Sequence, residues 1–239
     1  MAMMNEHTAK AFDSELQELT RKVAEMGGLA EREIADAIQA LIRRDIDLAK
    51  RVVAADPTID ALQQEIEEKA VLTIARRQPM AVDLREIVAA LRVSNDLERI
   101  GDLAKSIGKR VSALEGDFHP TKLIRGVEHM ASLVLNQLKQ VLDAYAARDL
   151  DSALTVWKGD EEIDALCTSL FRELLTYMME DPRNITFCIH LMFCAKNIER
   201  MGDHATNIAE TVHYMVEGRP IADRRPKGDT TAFAKAAMT

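Results

Sequence analysis

The heptapeptide DLERIGD at residues 96–102 returns as NIERMGD at 197–203, and it does not return alone. RRDIDLA (43–49) recurs as ARDLDSA (147–153) and DPTIDAL (56–62) as DEEIDAL (160–166), both 104 residues on, while the ERxGD segment recurs 101 residues on. Three matched segments in one order mean an internal duplication across most of the chain, three residues shorter between its later segments. A period near 100 lies far above the 20–50 residues of solenoid repeats, so each copy builds its own unit. Whatever one half folds into, the other half folds into as well.

That unit reads as helical. In MGGLAEREIADAIQALIRR the apolar positions Leu29, Ile34, Ala37, Ile38 and Leu41 fall three, four or five apart, and Val127, Met130, Leu133, Val134, Leu138, Val141 and Leu142 repeat the pattern. Aromatics are 4% of the chain while 12 methionines and many Ala, Leu, Glu, Arg and Lys residues are present, a helix-forming composition. Prolines at 79 and 182 and the EGDFHP segment at 115–120 mark the breaks. The reading is six helices, near 8–44, 46–77, 80–114, 121–147, 150–180 and 183–217. Short connections make neighbours antiparallel. The expected fold is all-α: two tandem, sequence-related antiparallel three-helix bundles over 1–116 and 117–218, followed by a mobile tail over 219–239.

The net charge of −8 argues against a nucleic-acid partner, which needs clustered Lys and Arg. Cys167, Cys188 and Cys194 form no CxxC and read as reduced core residues of a cytoplasmic protein. No secretory leader is expected at the N-terminus, and no stretch approaches the ~18 apolar residues of a spanning helix.

The acids carry the chemistry. Asp56 and Asp60, Glu98 and Asp102, Asp160 and Asp164, and Glu199 and Asp203 are each four apart, one above the other on a helix face. With 39 acids in 239 residues, one such pair means little. Their placement means more. The centres of the first two pairs, 58 and 100, are equidistant from Pro79, and those of the last two, 162 and 201, from the Asp181–Pro182 junction. An antiparallel hairpin therefore sets Asp60 beside Glu98, Asp56 beside Asp102, Asp164 beside Glu199 and Asp160 beside Asp203. Four carboxylates per bundle suit Mg²⁺, Mn²⁺, Ca²⁺ or iron rather than a thiolate zinc site. Glu98 and Asp102 point away from the stripe of Leu97, Ile100, Ala104 and Ile107, which predicts a shallow surface site; solvated acids paired with Arg99 and Arg200 are the alternative. Gly101 and Gly202 cost helix stability and point to close helix approach or access to the carboxylates.

Other features read as bland. His204 and the Glu210–His213 ExxH are expected to be surface residues rather than ligands, since di-iron bundles need two such motifs. Trp157 and Tyr177 read as packing residues and RRQP (76–79) as a solvated basic turn; no Walker-type, GxSxG or Cys–His arrangement occurs.

The segments AEMGGLAEREIADAI, ARRQPMAVDLR, LERIGD, LLTYMMEDPRNI and FCAKNIERMGD resemble the PhoU family, cytoplasmic regulators of bacterial phosphate-specific transport, over about residues 7–217. The resemblance implies paired three-helix bundles, often dimeric, whose E(D)xxxD motifs hold metal clusters. Those motifs map onto Asp56, Asp60, Glu98, Asp102, Asp160, Asp164, Glu199 and Asp203. The implied cations are magnesium, manganese, iron or zinc. Pro57 departs from the pattern and predicts Asp56 as an N-cap at a helix restart, which puts its ligand role in question. The implied function is a non-enzymatic negative regulator of the phosphate regulon. Its partners would be the ATPase subunit of the phosphate ABC transporter, a phosphate-sensing membrane histidine kinase and a second copy of itself. A metal-dependent carboxylate enzyme and a ligand-free helical scaffold are the competing readings.

Overall fold

A computed structural model describes the backbone of residues 2–114, 121–223 and 225, with side chains from residue 12 and, after the 115–120 connection, from residue 123. The connection itself and the tail beyond Arg225 lie outside the described residues. The first copy comprises α1 (Ala2–Arg43), α2 (Ile46–Ala55), α3 (Pro57–Arg77) and α4 (Val82–Ala113). The second comprises α5 (Thr121–Ala147), α6 (Leu150–Lys158), α7 (Asp160–Glu180), a 3₁₀ turn (Pro182–Asn184) and α8 (Ile185–Glu217). No strand occurs among the described residues.

The expected six helices are corrected in one respect: the middle helix of each copy is broken, in the first copy at the restart that Pro57 marks and in the second at an unmarked place. Residues 46–77 divide at Asp56, where Pro57 opens α3 and so forfeits no intrahelical hydrogen bond. Residues 150–180 divide at Gly159, whose N–H closes α6 on Thr155 and Val156 carbonyls. Elsewhere the duplication reaches single dihedrals. Arg44 and Arg148 both turn left-handed at φ 56°, and Asp45 and Asp149 follow as N-caps. Asp45 Oδ1 accepts from Leu48 N at 2.8 Å, and Asp149 Oδ1 from Asp151 N and Ser152 N at 3.0 and 3.2 Å. Each cap satisfies N–H groups that a helix start leaves unpaired, worth about 1 kcal/mol.

Packing follows from the predicted stripes. Leu97, Ile100, Ala104, Ile107 and Val111 on α4 are buried, as are their copies Ile198, Met201, Ala205, Ile208 and Val212 on α8. α4 and α8 pack against each other as well as within their own bundles, and α1 packs on α5. One hydrophobic core therefore runs through both copies. The three cysteines lie buried in it, and burial pushes the Cys194 thiol up to about 12. Trp157 and Tyr177 pack as expected. Among the described residues no helix is long and apolar enough to cross a membrane.

Candidate functional site

The break between α2 and α3 brings Asp56 inward. Its backbone is helical and its carbonyl accepts from Ile59 N at 3.0 Å and Asp60 N at 3.3 Å, but its side chain makes no capping bond. The N-cap expectation for that side chain is thus corrected. The buried Asp56 carboxylate instead accepts from Lys105 Nζ, which also reaches Asp102 Oδ1 at 3.4 Å. Arg99 lies beside the same group, 3.4 Å from Glu98 Oε2 and 3.8 Å from Asp102 Oδ2. Burial raises the Glu98 carboxyl above its usual range, and Asp102, Asp60 and Asp56 add to the shift. Asp60 is raised in turn by burial and by Asp56. The predicted neighbours are neighbours.

A fifth carboxylate, absent from the motif, enters from α1. Glu33 is 6% exposed, and its Oε2 is buried without a hydrogen-bond partner. Burial, then Asp56 and Asp60, push it up to about 7. A Cβ on Gly101 would stand 3.0 Å from Ile59 Cδ1 and 3.5 Å from Glu33 Oε2, so this glycine serves close helix approach beside the acids. The sequence carried one signal for Glu33: it shares the buried stripe of Met26, Ala30 and Ala37.

The second cluster repeats the frame with different fittings. Asp160 opens α7 and is 2% exposed, and Asp164 and Glu199 are also buried. Glu199 Oε1 accepts from Lys196 Nζ at 2.7 Å, while Oε2 is buried without a hydrogen-bond partner. Its carboxyl is raised by burial, with Asp203 and Asp164 adding to the shift. Gln137 stands where the first copy has Glu33, 104 residues on, and its Oε1 would lie 3.7 Å from a Cβ on Gly202. Thr206 stands where the first copy has Lys105, 101 residues on, and its hydroxyl donates to Asp160 Oδ1 at 3.3 Å. The cation comes from outside the repeat. Arg225 donates from Nε to Asp160 Oδ2 at 3.0 Å and from Nη2 to Asp203 Oδ1 at 2.6 Å.

The expected shallow surface site is corrected by this burial. That burial holds for Asp56, Asp160, Asp164 and Glu199, while Asp60 and Glu98 are half-buried and the outer acids are the most open, Asp102 with 42% and Asp203 with 34% of the side chain exposed. Among the described residues no three Asp, Glu, His or Cys side chains converge on one metal position as they stand. The donor set is nevertheless all oxygen, and each cluster contains a buried carboxylate oxygen without a hydrogen bond, Glu33 Oε2 or Glu199 Oε2. Such a set fits a hard cation that displaces Lys105 or Arg225. Away from the clusters, His204 is held rather than free: its Nδ1 lies 2.8 Å from Asp96 Oδ1, which also accepts from Asn207 Nδ2 at 3.3 Å. Glu210 accepts from Trp157 Nε1 at 3.1 Å, and His213 Nδ1 lies 3.0 Å from the Arg219 carbonyl, so the ExxH pair is not convergent.

Comparison with known proteins points one way. The PhoU domain model matches residues 23–111 and again 127–212, one match per copy. A phosphate-specific transport system accessory protein PhoU homolog of Rhizobium meliloti is 57% identical over 230 residues, 96% of this chain and 97% of the relative. A second, from Caulobacter vibrioides, is 54% identical over 226 residues, 95% and 98% of the two chains. The crystal structure of PhoU from Pseudomonas aeruginosa superposes with a TM-score of 0.81 at 39% identity, covering 87% of this chain and 100% of that one. The phosphate transport system regulatory protein PhoU from Streptococcus pneumoniae gives a TM-score of 0.82 at 27% identity, over 89% and 100%. A duplicated three-helix unit, matched twice by one domain model and shared nearly end to end with these relatives, belongs to the PhoU family.

Proposed function

We propose that this chain is a non-enzymatic accessory regulator of phosphate uptake and a negative regulator of the phosphate regulon. It acts in the cytoplasm as an adaptor between the ATPase subunit of the phosphate ABC transporter and the phosphate-sensing membrane histidine kinase, and it assembles as a homodimer. The observation that carries this reading is the near-full-length identity to accessory proteins of phosphate-specific transport. Exposed apolar side chains at the helical turns of both copies support docking: Met80, Val82 and Leu84 in the first, Met179 and Ile185 in the second.

The two carboxylate clusters are read as cation sites formed by Asp56, Asp60, Glu98 and Asp102, and by Asp160, Asp164, Glu199 and Asp203. A bound magnesium, manganese, iron or zinc ion would supply charge neutralisation, no more. The protein's part is to hold acids from separate helices at one place, so that the occupied and unoccupied clusters present different charge to a partner. Loss of partner binding on chelation supports that link; binding indifferent both to chelation and to Asp102→Asn with Asp203→Asn removes it.

The first experiment is secreted alkaline phosphatase in phosphate-rich medium, wild-type host against a strain lacking this gene. High activity in the deletion strain is expected. Unchanged, repressed activity would detach the chain from phosphate control.

A further inference from the structure

The two clusters differ in where their built-in cation comes from. In the first copy Lys105 bridges Asp56 and Asp102 from within α4, so its backbone cannot leave. In the second copy Thr206 replaces that lysine, and Arg225 bridges the equivalent Asp160 and Asp203. The Arg225 side chain is only 16% exposed there, at the far end of a segment with no helix of its own.

Gly218 ends α8 in a left-handed turn at φ 73°, a position that a side chain would drive into Arg85. From Gly218 the chain doubles back along α8. On the way Pro220, Ile221 and Asp223 line a cavity of about 320 Å³ with Arg92, Asn207 and Tyr214 at the α4–α8 junction. At the second cluster itself a separate feature points to a ligand: Glu199 is 6% exposed and its Oε2 has no hydrogen-bond partner.

We propose that residues 218–223 together with Arg225 form a strap carrying a tethered counter-ion for the second cluster: Arg225 and a divalent cation compete for Asp160 and Asp203, and cation uptake there frees the C-terminal segment. This rests on the reading of the clusters as cation sites. The physical basis is exclusion. Both Asp160 Oδ2 and Asp203 Oδ1 are engaged by one guanidinium, so a cation can take them only when Arg225 withdraws. Withdrawal also unroofs the α4–α8 cavity, so the cation state of one cluster is read out at the seam between the copies. The first cluster has no such output, because Lys105 is held within α4 and can release its acids without freeing any segment.

The test uses the full-length protein carrying Glu98→Gln and Asp102→Asn, which silences the first cluster. Mn²⁺ uptake is followed by loss of the free ion's paramagnetic resonance signal. Strap mobility is followed by the fluorescence anisotropy of a dye on Asp223→Cys, an exposed position, whereas the native cysteines are buried. If the strap is docked nine-tenths of the time or more, Arg225→Ala tightens Mn²⁺ binding by about tenfold or more, with Arg225→Lys in between. Anisotropy falls on Mn²⁺ addition when Arg225 is present and is low from the outset in Arg225→Ala. Equal affinities with and without Arg225, or anisotropy unmoved at saturating Mn²⁺, overturn the strap while leaving the cation site standing. No Mn²⁺ uptake even by Arg225→Ala overturns the cation site itself, and the strap's role with it.

Discussion

Glu33 shows how much one side chain can change between duplicated sites. Its carboxyl holds a proton in the fold up to a pH of about 7, against an ordinary value of 4.5 in the unfolded chain. A raised folded value contributes stability that is complete below pH 4.5 and is lost as the pH climbs through 7. Above that range an ionised Glu33 faces Asp56 and Asp60 from a buried position and costs on the order of 2 kcal/mol. Glu33→Gln, the residue the second copy already uses at Gln137, is therefore expected to raise the unfolding free energy by that amount at pH 8, seen as a higher urea midpoint at unchanged slope, and to leave it nearly unchanged at pH 4.5. Parallel urea titrations at the two pH values check it, and equal effects at both would contradict the assignment. The motif acids were legible because spacing and symmetry about Pro79 and Pro182 mark them. Glu33 and Arg225 were not, since one lies outside the repeated motif and the other in a tail without periodicity.

At the scale of the element, glycines separate helix propensity from helix packing. Gly28 faces open space on α1, with nothing within 4 Å of an added Cβ. Gly28→Ala gains helix propensity without a clash and is expected to stabilise by about 0.5–1 kcal/mol. Gly108 on α4 is the opposite case: a Cβ there would stand 3.0 Å from the Ala49 carbonyl oxygen, a backbone atom of α2 that cannot swing aside. Gly108→Ala is expected to destabilise by about 1–3 kcal/mol as the α2–α4 crossing opens. Thermal melts of the two variants against wild type decide both signs. The same close approach explains what the helix pattern missed. Hydrophobic periodicity runs through 46–77 and 150–180 without interruption, so nothing in it marks the breaks at Asp56 and Gly159. Pro57 did mark a helix restart after Asp56, whereas Gly159 carries no such signal, so the second break was not legible.

For the whole molecule, duplication and cooperativity pull in different directions. A chain of two like units with their own acids and caps could unfold in two steps. The shared core argues for one, because α4 and α8 bury apolar faces against each other as well as within their own bundles. A polar tie reinforces the seam: Asp96 on α4 accepts from His204 and Asn207 on α8, and it is 8% exposed. Asp96→Ala leaves two half-buried polar groups of the other copy, His204 and Asn207, without their partner, a loss of about 1 kcal/mol. In a molecule of two independent bundles that loss would fall on the second alone and split the heat-absorption curve. With a core common to both, the whole transition is expected to shift down as one peak, its calorimetric and van't Hoff enthalpies still equal, as scanning calorimetry of wild type and Asp96→Ala would record. Two resolved peaks in either protein would mean that the copies fold apart. A change in the second cluster could then reach a partner only through its own bundle, whereas a single transition lets occupancy at Asp160 and Asp203 bear on the stability of the first copy too.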